Sequence, residues 1–239
     1  MSCPHCCPIA RNLGKITLLA LFAIGSLLAV ALVRAEDKDK QTDRPKDAVV
    51  LFDGKDLSKW QAYPDGGAAK WKVADGYMEV AGGDIITKDK FKDMKLHLEF
   101  MPPYMPDARG QARGNSGVFI MNNYEVQVLD SYGLPRLEVG DCAALYSKKT
   151  PDKNAAKPPA HWQTYDIDFT AAKFNDKGEK TADAMLTVHH NGVVVYQDQK
   201  IDHTTTAAPH GKEIPEGQPH YLQDHGHEVC FRNVWLVER

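Results

Sequence analysis

The chain has 239 residues, a formal charge of −3 and 43% apolar residues. Such a balance argues against nucleic acid as a partner, because phosphate binding needs a concentrated basic footprint. The length allows one sizeable core and suits a single all-β domain once the N-terminus is set aside.

Arg11 and Lys15 precede an apolar run from Ile16 to Val33, and Val33-Arg34-Ala35 places small residues at the two positions a signal peptidase reads. Residues 1–35 therefore read as a secretory signal peptide, which predicts an exported, periplasmic or extracellular protein. An uncleaved anchor is the alternative, since the run spans 18 residues; with cleavage, no stable membrane insertion is expected. Removal takes away Arg11, Lys15 and Arg34 and no acidic residue, so the charge becomes −6. Cys3, Cys6 and Cys7 leave with the signal, and no His/Cys partner cluster accompanies them as a metal site. Cys142 and Cys230 remain, either bridged or as two buried thiols.

Glu36 to Lys46 is charged and without periodicity, and reads as a disordered linker. The domain then runs over 47–239. It opens with the apolar strand Ala48 to Phe52 and continues in short alternating segments: Lys95 to Phe100, Tyr165 to Phe169, Leu186 to His189, and a last strand from Val229 to Val237. Asp-Gly, Gly-Gly and Asn-Gly turns separate them, with Asn191-Gly192 the signal of a tight hairpin. Many short strands at regular spacing indicate a sandwich or barrel. A short helix is expected around Lys88 to Asp93. Three long irregular stretches, Met101 to Arg113, Lys148 to Ala160 and Thr204 to Pro219, are expected to frame the edges of a cleft, with disorder the rival for the third.

The most informative segment runs from Arg113-Gly114-Asn115 through an apolar strand to Tyr124-Glu125-Val126-Gln127-Val128-Leu129-Asp130. Side chains alternate faces in a strand, so Tyr124, Val126 and Val128 face a core while Glu125 and Gln127 share the opposite face. With Asp130 closing the strand and Arg113 and Asn115 before it, carboxylate, amide and guanidinium groups can converge on sugar hydroxyls, which need paired donors and acceptors. In Tyr221-Leu222-Gln223-Asp224-His225-Gly226-His227, an extended backbone puts Gln223, His225 and His227 on one face. His225 is a candidate general base, because imidazole titrates near physiological pH. The H-x-H spacing also permits a metal, although no third ligand is visible. Alternation places Arg232 and Asn233 on opposite faces, and Arg232 is a candidate partner for Glu125. Trp162 can stack on a sugar ring or belong to the core. His189 and His190 read as solvent-facing or packing residues.

Several of these motifs together resemble the 3-keto-disaccharide hydrolase domain family, long catalogued as a domain of unknown function. They are Phe52-Asp53-Gly54-Lys55-Asp56-Leu57-Ser58-Lys59-Trp60, Asn115-Ser116-Gly117, Tyr124-Glu125-Val126-Gln127, Leu222-Gln223-Asp224-His225-Gly226 and Phe231-Arg232-Asn233. The resemblance implies an all-β concanavalin A-like lectin/glucanase jelly-roll sandwich of two antiparallel sheets, with a concave sheet as the carbohydrate site. It also implies secreted or periplasmic action on oxidised, 3-keto glycosides. Glu125, Gln127, Gln223, His225 and Arg232 match positions expected in that site. The chain departs from the family at His161-Trp162-Gln163, where an acidic residue and Trp-Asn are common.

A ketone at C3 acidifies the C2 proton, and the group at C1 lies β to the carbonyl. Such a site needs a base, for which Glu125 and His225 are candidates, and an enolate donor, for which Arg232 and Arg113 are. A divalent metal can do the donor's work; the sequence leaves the cofactor unknown. Two rivals stand beside this 3-keto-glycoside hydrolase/lyase: a non-catalytic carbohydrate-binding module, and an ordinary glycosidase, which needs two flanking carboxylates. Glu125 and Asp130 fall on opposite faces of a regular strand, which disfavours that pair unless the strand ends or bulges before Asp130.

Overall fold

The structure, a computed structural model, describes residues 44–239. The signal-like segment and all but the last three residues of the linker lie outside them. Fifteen strands follow in chain order. They are β1 (Val49–Phe52), β2 (Trp60–Ala62), β3 (Lys72–Ala74), β4 (Tyr77–Glu79), β5 (Ile85–Thr87), β6 (Met94–Met101), β7 (Ser116–Ile120) and β8 (Tyr124–Val128), then β9 (Gln163–Thr170), β10 (Lys173–Phe174), β11 (Lys180–Ala182), β12 (Ala184–His190), β13 (Val193–Ile201), β14 (Tyr221–Leu222) and β15 (Cys230–Glu238). The helical content of the described residues is one 3₁₀ turn, Gly110–Ala112. The expected helix at Lys88 to Asp93 is absent, because Phe91 instead bridges Gln218 and the segment is tied by backbone hydrogen bonds in both directions to that residue.

Two antiparallel sheets form the sandwich. The larger has eight strands in the order β13-β12-β9-β6-β15-β4-β3, with β1 also paired to β15; the smaller has five, β2-β5-β14-β7-β8. Their inner faces supply one apolar cluster. Leu96, Leu98 and Phe100 of β6 and Tyr165, Ile167 and Phe169 of β9 meet Val118 and Ile120 of β7 and Tyr124, Val126 and Val128 of β8. The period-two pattern fixes this arrangement: β9 alternates buried and half-exposed positions along its whole length. Asn191 and Gly192 join β12 to β13 with φ of 53° and 77°, the left-handed pair a type I′ turn requires.

The free edge of β8 is closed by chain, not left to water. Gln127 donates to the carbonyl of Ala144, Ala143 donates to Gln127, and Tyr146 donates to Glu125. The stretch from Thr204 to Pro219 contributes as well, with Thr205 Oγ1 accepting from the Glu125 amide at 3.0 Å. That stretch and Lys148 to Ala160 pack against strands. Among the three long loops only Met101 to Arg113 lines the cleft described below. Cys142 and Cys230 are both buried and unbridged, and burial pushes the Cys142 thiol up to about 11.

Candidate functional site

The outer face of the five-stranded sheet carries the Glu125 side chain. Register pairs Phe119 with Glu125, Gly117 with Gln127, Tyr221 with Phe119 and Ile86 with Tyr221. A row of Tyr63, Tyr221 and Phe119 therefore leads across the face to Glu125. The rings meet edge-on, with centroids 5.5 Å and 4.8 Å apart. Gly117 makes room for the carboxyl: a methyl group there would lie 2.7 Å from Glu125 Oε1 and 2.7 Å from the Phe119 ring.

Glu125 is 2% exposed, and its Oε2 has no hydrogen-bond partner. Burial alone pushes the carboxyl up to about 8 from its ordinary 4.5. At neutral pH most of it is protonated. A buried carboxyl without a partner is costly to fold around and is a mark of a functional position. Neighbouring Tyr221 is also raised, first by burial, then by its bond to Asp84, and more weakly by the nearby Tyr63 and Glu125.

An amide network borders the carboxyl. Gln127 Nε2 and Asn115 Nδ2 both donate to Gln111 Oε1, at 3.1 and 3.0 Å. Asn115 Oδ1, like Glu125 Oε2, is buried without a partner. Arg113 and Asp130 close the end of β8 as an ion pair of 2.6 Å, and the second Asp130 oxygen accepts from the Tyr132 amide. Asp130 is thereby committed to the loop and is not a second carboxyl facing Glu125.

The segment after β14 is not extended. Asp224 accepts from the amides of Gly226 and Gly83 and its own amide donates to Asp84, which forms a tight turn with Gly226 at φ 78°. Gln223 still sits beside Gly117, to whose carbonyl its amide donates at 3.1 Å. His225 is exposed on the turn, its ring parallel to that of His227 at 6.0 Å. His227 Nδ1 accepts from the Asn115 amide at 3.1 Å, so a neutral ring carries its proton on Nε2. Burial and, after it, His225 push the His227 pKa down.

Trp162 and Arg232 lie elsewhere, on the outer face of the eight-stranded sheet. The expected partnership of Arg232 with Glu125 is corrected: Arg232 Nε pairs with Glu99 Oε2 at 2.6 Å, and its guanidinium lies 4.2 Å from the centre of the Trp162 ring. The expected opposition of Arg232 and Asn233 also fails. Asn233 has φ 48° in a bulge of β15, which lets its amide reach Glu99 Oε1 at 2.9 Å on the same face. His97, wholly buried, completes the cluster with Asp166 at 2.6 Å and Trp235 stacked at 4.8 Å. Burial acts upward on Glu99, but His97, Asn233 and Arg232 outweigh it and hold the carboxyl at about 2. Burial also acts downward on His97 and is outweighed by Asp166 and Glu99.

Sequence reasoning did not single out Gln111, Tyr63 or Asp224. Gln111 sits in the 3₁₀ turn Gly110–Ala112 and shows its role only through its contacts with Asn115 and Gln127, and Tyr63 sits in the turn after β2, outside any strand pattern. Among the described residues no group of three His, Cys, Asp or Glu side chains is arranged to hold a metal ion. His190, read as a surface or packing residue, is buried against Gln163 at 2.8 Å, and burial drives its pKa down to about 3.

The fold and sequence have known counterparts. A solved structure from Parabacteroides distasonis, provisionally assigned as a glycosyl hydrolase, is 41% identical, with a TM-score of 0.75 over 82% of this chain and 85% of that one. A second structure from the same organism with the same provisional assignment is 20% identical, with a TM-score of 0.58 over 81% and 94%, and shares the fold. No curated protein sequence matches the chain. The sandwich is thus of the jelly-roll type found in glycosyl hydrolases and lyases, and the protein is carbohydrate hydrolase/lyase-like. The family profile of the 3-keto-alpha-glucoside-1,2-lyase-like domain matches residues 47–237, and the chain belongs to that family.

Proposed function

We propose that the protein is an exported enzyme that cleaves the glycosidic bond of 3-keto-glycosides by elimination and hydration, with Glu125 as the base. The observation that carries this reading is the Glu125 carboxyl, buried, unpartnered and raised to about 8. In its ionised form, a carboxylate of that basicity takes a carbon-bound proton far better than an ordinary one. Glu125 removes the C2 proton, and the C2–H electrons become an enolate on the C3 oxygen. The enolate re-forms the ketone as the C1–C2 double bond forms, and the group at C1 leaves with the C1–O electrons and takes, in net terms, the proton that Glu125 removed, which restores the base. Water then adds across the double bond, its oxygen to C1 and a proton to C2, for net hydrolysis. The amides around Gln111 and the Tyr63–Tyr221 rings supply hydrogen bonds and a stacking surface for the sugar.

A carbohydrate-binding module has no use for a desolvated, unpaired acid, which lowers stability without adding a better hydrogen bond. An ordinary glycosidase needs a second carboxylate across the bond, and Asp130 is held by Arg113. The test is turnover of a 3-keto-glucoside beside its unoxidised parent, with and without chelator. Cleavage confined to the oxidised sugar supports the proposal. Binding of the oxidised sugar with no cleavage in either condition sinks it in favour of the module.

A further inference from the structure

A cleft of about 570 Å³ opens beside the amide network, at the end of the sandwich. One wall is the crossover from β6 to β7, with Pro103, Tyr104, Met105 and Pro106; the other is the crossover from β14 to β15, with His227 and Glu228. Its contacts tie it to the site. The Gly114 amide lies 3.3 Å from Met105 Sδ, and the next amide, that of Asn115, donates to His227 Nδ1. Asn115 reaches Gln111, and Gln111 reaches Gln127, two residues along β8 from Glu125. The cleft is therefore a neighbour of the sugar site and not part of the Glu125 face.

Its chemistry differs from that of the amide network. Two proline rings, a thioether and a tyrosine that is 58% exposed form most of one wall, with Ala108 and a single carboxylate, Asp107, beside them. Sugar hydroxyls need many paired donors and acceptors, and of these side chains only the Asp107 carboxylate and the Tyr104 hydroxyl offer one. A flat apolar ring is the chemistry that prolines, a thioether and an exposed tyrosine favour. The size falls in the range of roughly 300–1,000 Å³ that small-molecule sites occupy, which likewise combine apolar linings with few polar groups. Prolines fix φ, so less freedom is lost when a ligand settles on them.

We propose that this cleft is the leaving-group subsite and that it takes aglycones bearing an aromatic ring. The proposal rests on the function above, because only a substrate with its sugar at Glu125 would lay its aglycone here. His227 lines this cleft and, through the Asn115 amide, joins it to the amide network.

Benzyl and methyl glucosides, each as the 3-keto compound and as the unoxidised parent, test this without confounding by leaving-group reactivity, since both release an alkoxide. Dissociation constants are measured by calorimetry on the Glu125→Gln protein, and turnover on the wild type. The expected result is a benzyl preference of about tenfold in affinity, the scale of one buried aromatic contact. Tyr104→Ala should bring the ratio close to one, and Tyr104→Phe should keep it. Equal affinities for benzyl and methyl compounds overturn the subsite, as does a full preference surviving in Tyr104→Ala. If the keto compounds are cleaved with no benzyl preference, the subsite fails while the function stands. A benzyl preference lost in Tyr104→Ala, with no keto compound cleaved, overturns the function and with it the leaving-group assignment, leaving the cleft as an aromatic-binding site.

Discussion

Glu125 sets what the site can do because of where Gly117 leaves space and what does not reach Oε2. Its folded pKa lies above its ordinary value, so the sign of its effect on stability is fixed. Below about pH 4.5 both folded and unfolded chains hold the proton. As pH rises toward 8 the unfolded chain ionises and the folded chain does not, so folding loses stability, and the loss levels off above that. Glu125→Gln should therefore be more stable than wild type by about 3 kcal/mol at pH 7, with the gap closing below pH 4.5 in chemical denaturation. Parallel stability curves across that range would mean that the carboxyl ionises normally. Gly117→Ala tests the space itself. A methyl 2.7 Å from both Glu125 Oε1 and Phe119 must displace one of them, so a stability loss of about 1–3 kcal/mol should accompany a fall in kcat; unchanged kinetics would show that the carboxyl's position is not critical.

At the scale of elements, the two outer faces carry different clusters. The bulge at Asn233 in β15 turns Arg232 and Asn233 together onto Glu99, beside a buried histidine. Glu99 is depressed to about 2, so it contributes stability above its ordinary pKa of 4.5, and that contribution disappears as pH falls through 2. Arg232→Ala strips the buried Glu99 of its cation and should cost about 3 kcal/mol at neutral pH. Thermal melts would read this, and the cost should shrink in acid. A change in substrate KM without loss of stability would instead return Arg232 to the substrate site. The sequence could not distinguish these roles. Period-two alternation is legible, and it correctly separated Tyr124, Val126 and Val128 from Glu125 and Gln127. A one-residue bulge reverses facing after it, and nothing in Phe231-Arg232-Asn233 announces one. The turn at Asp224 was likewise hidden, because it depends on amides contributed from Gly83 and on Asp84, about 140 residues away.

For the whole molecule, strand positions and the all-β class follow from local pattern, whereas the sheet order does not. β14, two residues long, sits between β5 and β7, and only that long-range placement brings Gln223 beside Gly117 and Tyr221 beside Phe119. The Arg113–Asp130 pair is local instead: the β7–β8 register, with Ser116 opposite Val128, brings the two together at the strand end. The central claim is that Glu125 moves the proton. The most direct measurement is the pH dependence of kcat/KM for a 3-keto-glucoside on wild type and Glu125→Gln. With Glu125 as base, the wild-type rate should climb about tenfold per pH unit below its pKa and level off near pH 8, and Glu125→Gln should lose the rate and the inflection together. A rate that falls through pH 8, or an inflection that survives in Glu125→Gln, would contradict it.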